Sequence, residues 1–96
     1  MTKPAELLAI ALQLSITTGY RHVTRHQIAE VAKCAPSLIP FYMGTMTNLR
    51  RDLVRAAIRA ECLPVLAQAI VANDPHVRRI SGELRNAALD SLRGGV

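Results

Sequence analysis

The sequence predicts an all-α fold, and three observations support this prediction. Half of the 96 residues are hydrophobic but only 3% are aromatic, so the core must consist mainly of Leu, Ile, Val and Ala. That composition favours packed helices over a sheet. Apolar residues recur at helical spacing in several segments, and residues that start or stop helices separate those segments. A single domain of this length can hold a core of roughly three to five helices without a metal or a disulfide.

The first helix is predicted to start near Pro4, with Thr2 as its N-cap, and to end before Gly19. Its apolar residues share one face: Leu7, Ile10, Ala11 and Leu14. Because the polar residues Glu6 and Gln13 interrupt the apolar run, we expect an amphipathic core helix and neither a signal peptide nor a transmembrane segment. A soluble protein in the cytoplasm is the expected outcome, with no membrane partner.

Thr24 and Gln27 have the spacing of a capping box, which predicts a second helix from about Arg25 to Lys33. Residues 33–35 are too few for anything but a turn between two packed helices.

The third helix is predicted to open at Pro36 and Ser37, a turn-favouring proline followed by a capping hydroxyl. Gly44 then ends it after about two turns. Pro40 is tolerated if Ser37 is the cap, because the first turn of a helix leaves its N–H groups unpaired. Two short helices joined by a tight turn form a helix-turn-helix unit, whose second helix is the one presented to DNA.

We expect the first three helices to close a small core, with Tyr20 packed at the corner after the first helix. The predicted core residues are Leu7, Ile10, Leu14, Val23, Ile28, Val31, Cys34, Met43 and either Leu38 or Ile39.

A fourth helix is predicted to begin at Thr45 or Thr47 and to break or kink at Pro64, since an interior proline costs roughly 3 kcal/mol. Its continuation over residues 65–72 is almost wholly apolar. Asp74 and Pro75 are then a cap and a first helical residue.

The fifth and last helix is predicted to run from Pro75 to about Leu92 and to end at Gly94 and Gly95. The predicted architecture is therefore a three-helix core, a kinked fourth helix and a fifth C-terminal helix.

The stretch from Gly19 to Leu49 carries a family resemblance without a gap. Its matching segments are Gly19-Tyr20 with Val23-Thr24, Ile28-Ala29-Glu30 with Ala32, Ala35-Pro36-Ser37-Leu38-Ile39, and Gly44-Thr45 with Leu49. They resemble the helix-turn-helix part of the TetR family of transcriptional regulators. This chain departs from the family pattern at Lys33, Pro40, Met43 and Met46.

The resemblance implies a DNA-binding core over residues 1–46, with residues 47–96 completing the domain. The expected partner is double-stranded DNA, and the expected role is that of a repressor. The candidate DNA-binding residues are Thr24, Arg25, Pro36, Ser37, Leu38, Pro40, Phe41, Tyr42, Thr47 and Arg50. Arg25 and Arg50, each expected in the first turn of a helix, should hold phosphates, whereas Ser37 and Phe41 should face bases.

The distribution of charge supports the same interpretation. Residues 1–60 contain eight basic and three acidic residues, a net charge of +5, whereas residues 61–96 contain four of each. All the excess positive charge thus lies in the part that resembles a DNA reader, as expected for a nucleic-acid footprint.

The sequence predicts no enzyme, no cofactor and no metal site. The acidic residues are scattered, no nucleophile lies beside a plausible base, and no glycine-rich phosphate loop is present. His22 and His26 are four residues apart but lack a third ligand. Cys34 and Cys62 show no metal-ligand spacing, and Cys34 is expected to be a buried structural thiol.

Regulators of the TetR family carry a larger C-terminal domain that binds a small molecule and forms the dimer. The segment after Pro64 leaves no room for the usual pocket, so we expect no small-molecule ligand. Its apolar surface predicts a homodimer instead, through Val65, Ile70, Val77, Ile80 and Leu84.

The recognition helix is poor in hydrogen-bonding side chains, which leaves a second hypothesis open. A repurposed helix-turn-helix could bind a partner protein, as an anti-repressor or an assembly adaptor, instead of DNA.

Overall fold

The computed structural model describes residues 3–94, and the prediction of an all-α fold is confirmed there: this range contains helices and no strand. The helices are α1 (Lys3–Thr18), α2 (Arg25–Ala32), α3 (Leu38–Met43), α4 (Met46–Ala60), α5 (Leu63–Val71), a 3-10 helix (Pro75–Val77) and α6 (Gly82–Gly94). The predicted cap Thr2 and the predicted stop Gly95 lie outside the described residues. None of the described helices is long and apolar enough to cross a membrane.

The capping box of α2 is confirmed. The Thr24 side chain accepts a hydrogen bond from the Gln27 amide at 3.2 Å, and the Gln27 side chain accepts one from the Thr24 amide at 2.9 Å. Lys33 ends the helix in the left-handed conformation, with φ 58° and ψ 48°. An L-residue pays a steric cost in this conformation that glycine does not.

The start of α3 differs from the prediction in one respect. Ser37 has helical backbone angles and its hydroxyl makes no capping bond. The backbone satisfies the start of the helix instead, since the Leu38 and Ile39 amides donate to the carbonyls of Ala35 and Pro36. Pro40 lies in the first turn, as predicted, where its missing N–H leaves no bond unmade.

Of the two outcomes predicted at Pro64, a break or a kink, the structure shows a break, because the fourth helix ends before the proline. α4 stops at Ala60, Glu61 takes the left-handed conformation at φ 51°, and α5 begins at Leu63 with Pro64 in its first turn. A proline in a first turn neither breaks a hydrogen bond nor clashes with a preceding turn. The described chain therefore has six α-helices where the sequence predicted five.

The predicted last helix is divided into two. Asp74 accepts a hydrogen bond from the His76 amide at 2.8 Å, as a cap should, but only the 3-10 helix follows it. α6 starts at Gly82, five residues after the end of the 3-10 helix, and there the Ser81 hydroxyl accepts from the Leu84 amide at 3.1 Å. The capping serine ahead of Gly82 and Glu83 was the sequence signal for this second start.

One core joins residues from both halves of the chain. Its largest fully buried side chains are Leu7, Ile28, Ile39, Leu49, Leu53, Leu66, Val54 and Val65. Ile39, not Leu38, is the buried member of the predicted alternative. Cys34, Ile10 and Leu14 are only partly buried at the edge of this core. The prediction for Val31 is wrong, because its side chain is 54% exposed on the outer face of α2.

The segment between α1 and α2 is tied to the C-terminal helices through Tyr20 and Gln68. The Tyr20 amide donates to Gln68 Oε1 at 2.7 Å, and Gln68 Nε2 donates to the Ser15 carbonyl at 2.9 Å. The Tyr20 hydroxyl donates to Asp74 Oδ2 at 2.9 Å. These bonds position the start of α2, and with it the helix pair α2–α3, against α5.

Candidate nucleic-acid interface

The short helix α3 presents an exposed apolar face. Phe41 is 77% exposed and Leu38 is 36% exposed, and Pro36 and Ser37 are also exposed. The opposite face is anchored, since Ile39 and Met43 are buried. α3 contacts α1, α2 and α4, so its outer face is displayed from a fixed position although the helix has only six residues.

The ring of Phe41 packs against the ring of Tyr42. The rings of Phe41 and Tyr42 meet edge to face, with centroids 5.0 Å apart and planes at 83°, a favoured geometry for two aromatic rings. Tyr42 and Pro40 are half-buried, so Phe41, Leu38, Pro36 and Ser37 are the residues best placed to contact a partner.

The helices flanking α3 supply polar and cationic groups near their N-terminal ends. Thr24 and Arg25 are exposed at the start of α2, and Thr47 is exposed in the first turn of α4. The Thr24 hydroxyl already accepts a capping bond, but its O–H proton is free to be donated to a phosphate oxygen. Such helix ends favour anions, because their amide groups and the helix dipole point outward.

Arg50 lies deeper than the sequence predicted. α4 begins at Met46, so Arg50 is its fifth residue and not part of the first turn. Arg50 Nε is buried and has no hydrogen-bond partner in the described residues. Within the described residues, the ion pairs that form do not involve Arg50.

Arg50 lines two neighbouring recesses in the surface. The first, of about 270 Å³, is also lined by Arg21, Thr24 and Arg25. The second, of about 260 Å³, is also lined by Arg21 and Thr47. Among the predicted site residues, Thr24, Arg25, Thr47 and Arg50 are thus brought together, whereas the predicted residues of α3 line neither recess.

Arg21 is the residue that the prediction missed. It is exposed and lines both recesses, although it lies in the segment between α1 and α2. It contributed to the predicted positive charge of residues 1–60, but the spacing along the chain offered no signal that it would meet Arg50.

Three of the residues that line the second recess are hydrogen-bonded to one another: Tyr20, Asp74 and His76. Asp74 accepts from the Tyr20 hydroxyl, from the His76 amide and, at 2.8 Å, faces His76 Nδ1. Burial would raise the pKa of Asp74, but the bonds from the His76 amide, the Tyr20 hydroxyl and the His76 ring hold it below its ordinary value. Burial, followed by the bond to Asp74, raises the pKa of Tyr20 to about 12.

The predicted dimerisation residues are not all available to a second copy. Val65 is fully buried and Val77 is 2% exposed, so both belong to the core of the chain itself and that part of the prediction is wrong. Ile70, Ile80 and Leu84 are half-buried. The exposed apolar residues of this region are Val71 at 71% and Leu92 at 55%. They border a groove that Ala67 and Ala72 also line.

The two cysteines, Cys34 and Cys62, are free and half-buried. Within residues 3–94, no group of three or more His, Cys, Asp or Glu side chains is placed to hold a metal ion.

Comparison of this chain with known protein families, with curated proteins and with solved structures finds no match.

Proposed function

We propose that this chain is a small, sequence-specific DNA-binding transcriptional regulator of TetR-like type, acting as a repressor. The observation that carries the proposal is the display of α3: a short helix with a buried inner face and an exposed outer face, between α2 and α4. Both neighbours bring cations near their N-terminal ends, Arg25 on α2 and Arg50 on α4. This combination supports a helix that enters a groove while its neighbours hold the DNA backbone.

The two kinds of contact have different consequences. Arg25 and Arg50 would act on phosphates, which all sequences share. Ser37 and Phe41 would act on bases, Phe41 through apolar contact with a thymine methyl group. Sequence preference would then depend on α3, and overall affinity on the arginines.

A competition experiment tests this division, with each variant measured on a selected site and on random duplex. Arg25→Ala should weaken both by a similar factor, whereas Phe41→Ala should change the preferred sequence, at roughly 1–3 kcal/mol for the affected base pair. Arg55→Ala is the matched control, because Arg55 is exposed on α4 but lines neither recess. If Phe41→Ala keeps the original preference, α3 does not read bases.

The proposal includes a homodimer, supported by the apolar side chains that α5 and α6 leave exposed. Val71→Asp should shift the protein towards monomer in sedimentation at micromolar concentration and weaken DNA binding in parallel. Ile80→Asp and Leu84→Asp would lower the stability of the fold as well as any dimer, since both residues also pack against the core. A wild-type chain that sediments as a monomer would exclude this part of the proposal.

A second candidate function is a protein-interaction module. The observation that favours it is the apolar outer face of α3, where Phe41, Leu38 and Pro36 offer no hydrogen bond to a base edge. A salt titration on random duplex separates the two candidates: phosphate contacts give a steep slope, and a module that binds only protein gives none.

A further inference from the structure

The two recesses beside Arg50 adjoin each other, because Arg21 and Arg50 line both of them. We call the two together the basic trough, with the first recess as its first end and the second recess as its second end. Arg25 adds its charge at the first end, and Arg51 adds its charge at the second.

The charge of this trough is mostly unopposed. No Asp or Glu lines the first end, where Arg21, Arg25 and Arg50 give a formal charge of +3. At the second end Arg21, Arg50 and Arg51 face Asp74, three positive charges against one negative, or +2. Arg51 Nε is also 3.3 Å from Asp52 Oδ1. This ion pair partly neutralises Arg51, so most of the net positive charge at this end comes from Arg21 and Arg50.

All three histidines of the chain line this same trough. His22 and His26 lie at the first end and His76 at the second. Histidine is the side chain whose ordinary change of charge falls between about pH 5 and pH 8. A phosphate oxygen beside an imidazole ring favours the protonated ring, because the ring can then donate from both nitrogens.

The charged and titratable groups facing these rings come from each of the elements that form the trough. His22 and His26 face Arg21, Arg25 and Arg50. His76 faces Asp74, Tyr20, Arg21, Arg50 and Arg51.

We propose that this trough binds the phosphate backbone of a nucleic acid, with Arg21 as a phosphate contact and the histidines making the binding proton-linked. This inference rests on the proposed function and deepens it: Arg21 joins Arg25 and Arg50 as a phosphate contact, and the histidines link the binding of the DNA backbone to pH. Binding then takes up protons, and it strengthens as the pH falls from about 8 to about 6.

The test is the slope of log affinity against log salt concentration for random duplex, measured at about pH 8 and about pH 6. Arg21→Gln should lower the slope by about 0.9, the value for one lost phosphate contact, at both pH values. The double variant His22→Gln/His26→Gln should leave the slope at about pH 8 unchanged. It should also remove most of the increase in slope that the wild-type chain shows between about pH 8 and about pH 6. Both histidines are exposed, so these substitutions should not disturb folding, which thermal melting followed by circular dichroism can verify. His76→Gln is a separate measurement, since this ring also pairs with Asp74.

Arg55→Gln is the control, an identical loss of charge on α4 outside the trough. If Arg21→Gln and Arg55→Gln change the slope equally, the trough does not bind the backbone. If the double histidine variant keeps the full pH dependence, the proton linkage assigned to these rings is wrong. If the wild-type chain shows no salt-dependent binding to duplex at either pH, the proposed DNA-binding function fails.

Discussion

Removing the Tyr20 hydroxyl tests how α2 and α3 are held against the rest of the chain. Tyr20 is only 4% exposed, and its O–H donates to Asp74 Oδ2 at 2.9 Å across 54 residues of sequence. A hydrogen bond to a charged acceptor contributes about 1.5–3 kcal/mol. Asp74 keeps its two contacts from His76 and is partly open to water, so Tyr20→Phe should cost about 1.5 kcal/mol, the lower end of that range. For a domain of this size the melting temperature should fall by about 4–8 °C for each kcal/mol.

The assay is urea and thermal unfolding at neutral pH, with Tyr42→Phe as the matched control. Tyr42 is half-buried and its hydroxyl makes no hydrogen bond within the described residues, so its loss should change stability little. A double-mutant cycle of Tyr20→Phe with Asp74→Asn should return a coupling energy of at least about 0.5 kcal/mol. A coupling near zero would refute the argument that this bond ties the two parts of the chain together.

The same bond predicts an alkaline pH dependence. The pKa of Tyr20 is raised from 10.0 to about 12, so the folded state holds the phenol proton more tightly than the unfolded state does. This stabilisation is fully present below about pH 10 and is lost as the pH rises to about 12. The wild-type chain should therefore lose more stability than Tyr20→Phe over this interval, and equal losses would contradict the assignment.

Three further predictions concern stability. The pKa of Asp74 lies below its ordinary value of 3.8, so its contribution is present above that pH and is lost as the pH falls below it. Asp74→Asn should accordingly cost less free energy of unfolding at about pH 3 than at about pH 7. Leu66→Ala leaves a cavity in the fully buried core and should cost about 2–5 kcal/mol in urea unfolding, whereas Leu92→Ala, at a 55% exposed position, should cost far less. Lys33→Gly removes the steric penalty of the left-handed conformation at φ 58° and should raise the free energy of unfolding by about 0.5–1 kcal/mol; a lower melting temperature would show that this residue is not strained.

Local signals along the chain predicted much of the fold. The Thr24 and Gln27 capping box, the stop at Gly44 and the cap at Asp74 were all correct, because each is a contact between residues at most four positions apart. Such contacts depend on backbone geometry that the neighbouring residues impose by themselves. The Ser81 cap of α6 was a local signal of the same kind. The sequence analysis missed it, because apolar residues at helical spacing across residues 75–92 predicted one continuous helix.

Burial was predicted less well, because it depends on what lies opposite each face. Val31 has the residue type and the helical position of a core residue, yet none of the described helices covers its side of α2. Val65 and Val77 have the apolar character of an interface, yet α5 and the 3-10 helix turn both into the core of their own chain. Periodicity identifies an apolar face but not its partner.

The sequence by itself determined that the chain is helical, where most helices begin, and that its positive charge lies in the first 60 residues. Only the tertiary structure decided how that charge is arranged. Arg21 and Arg50 are 29 positions apart and belong to different elements, and His76 comes from a third. They line one trough because Tyr20 is anchored to Gln68 and Asp74, at sequence separations of 48 and 54 residues. Contacts over such distances form only when the core brings the elements together, and therefore no local pattern of residues encodes them.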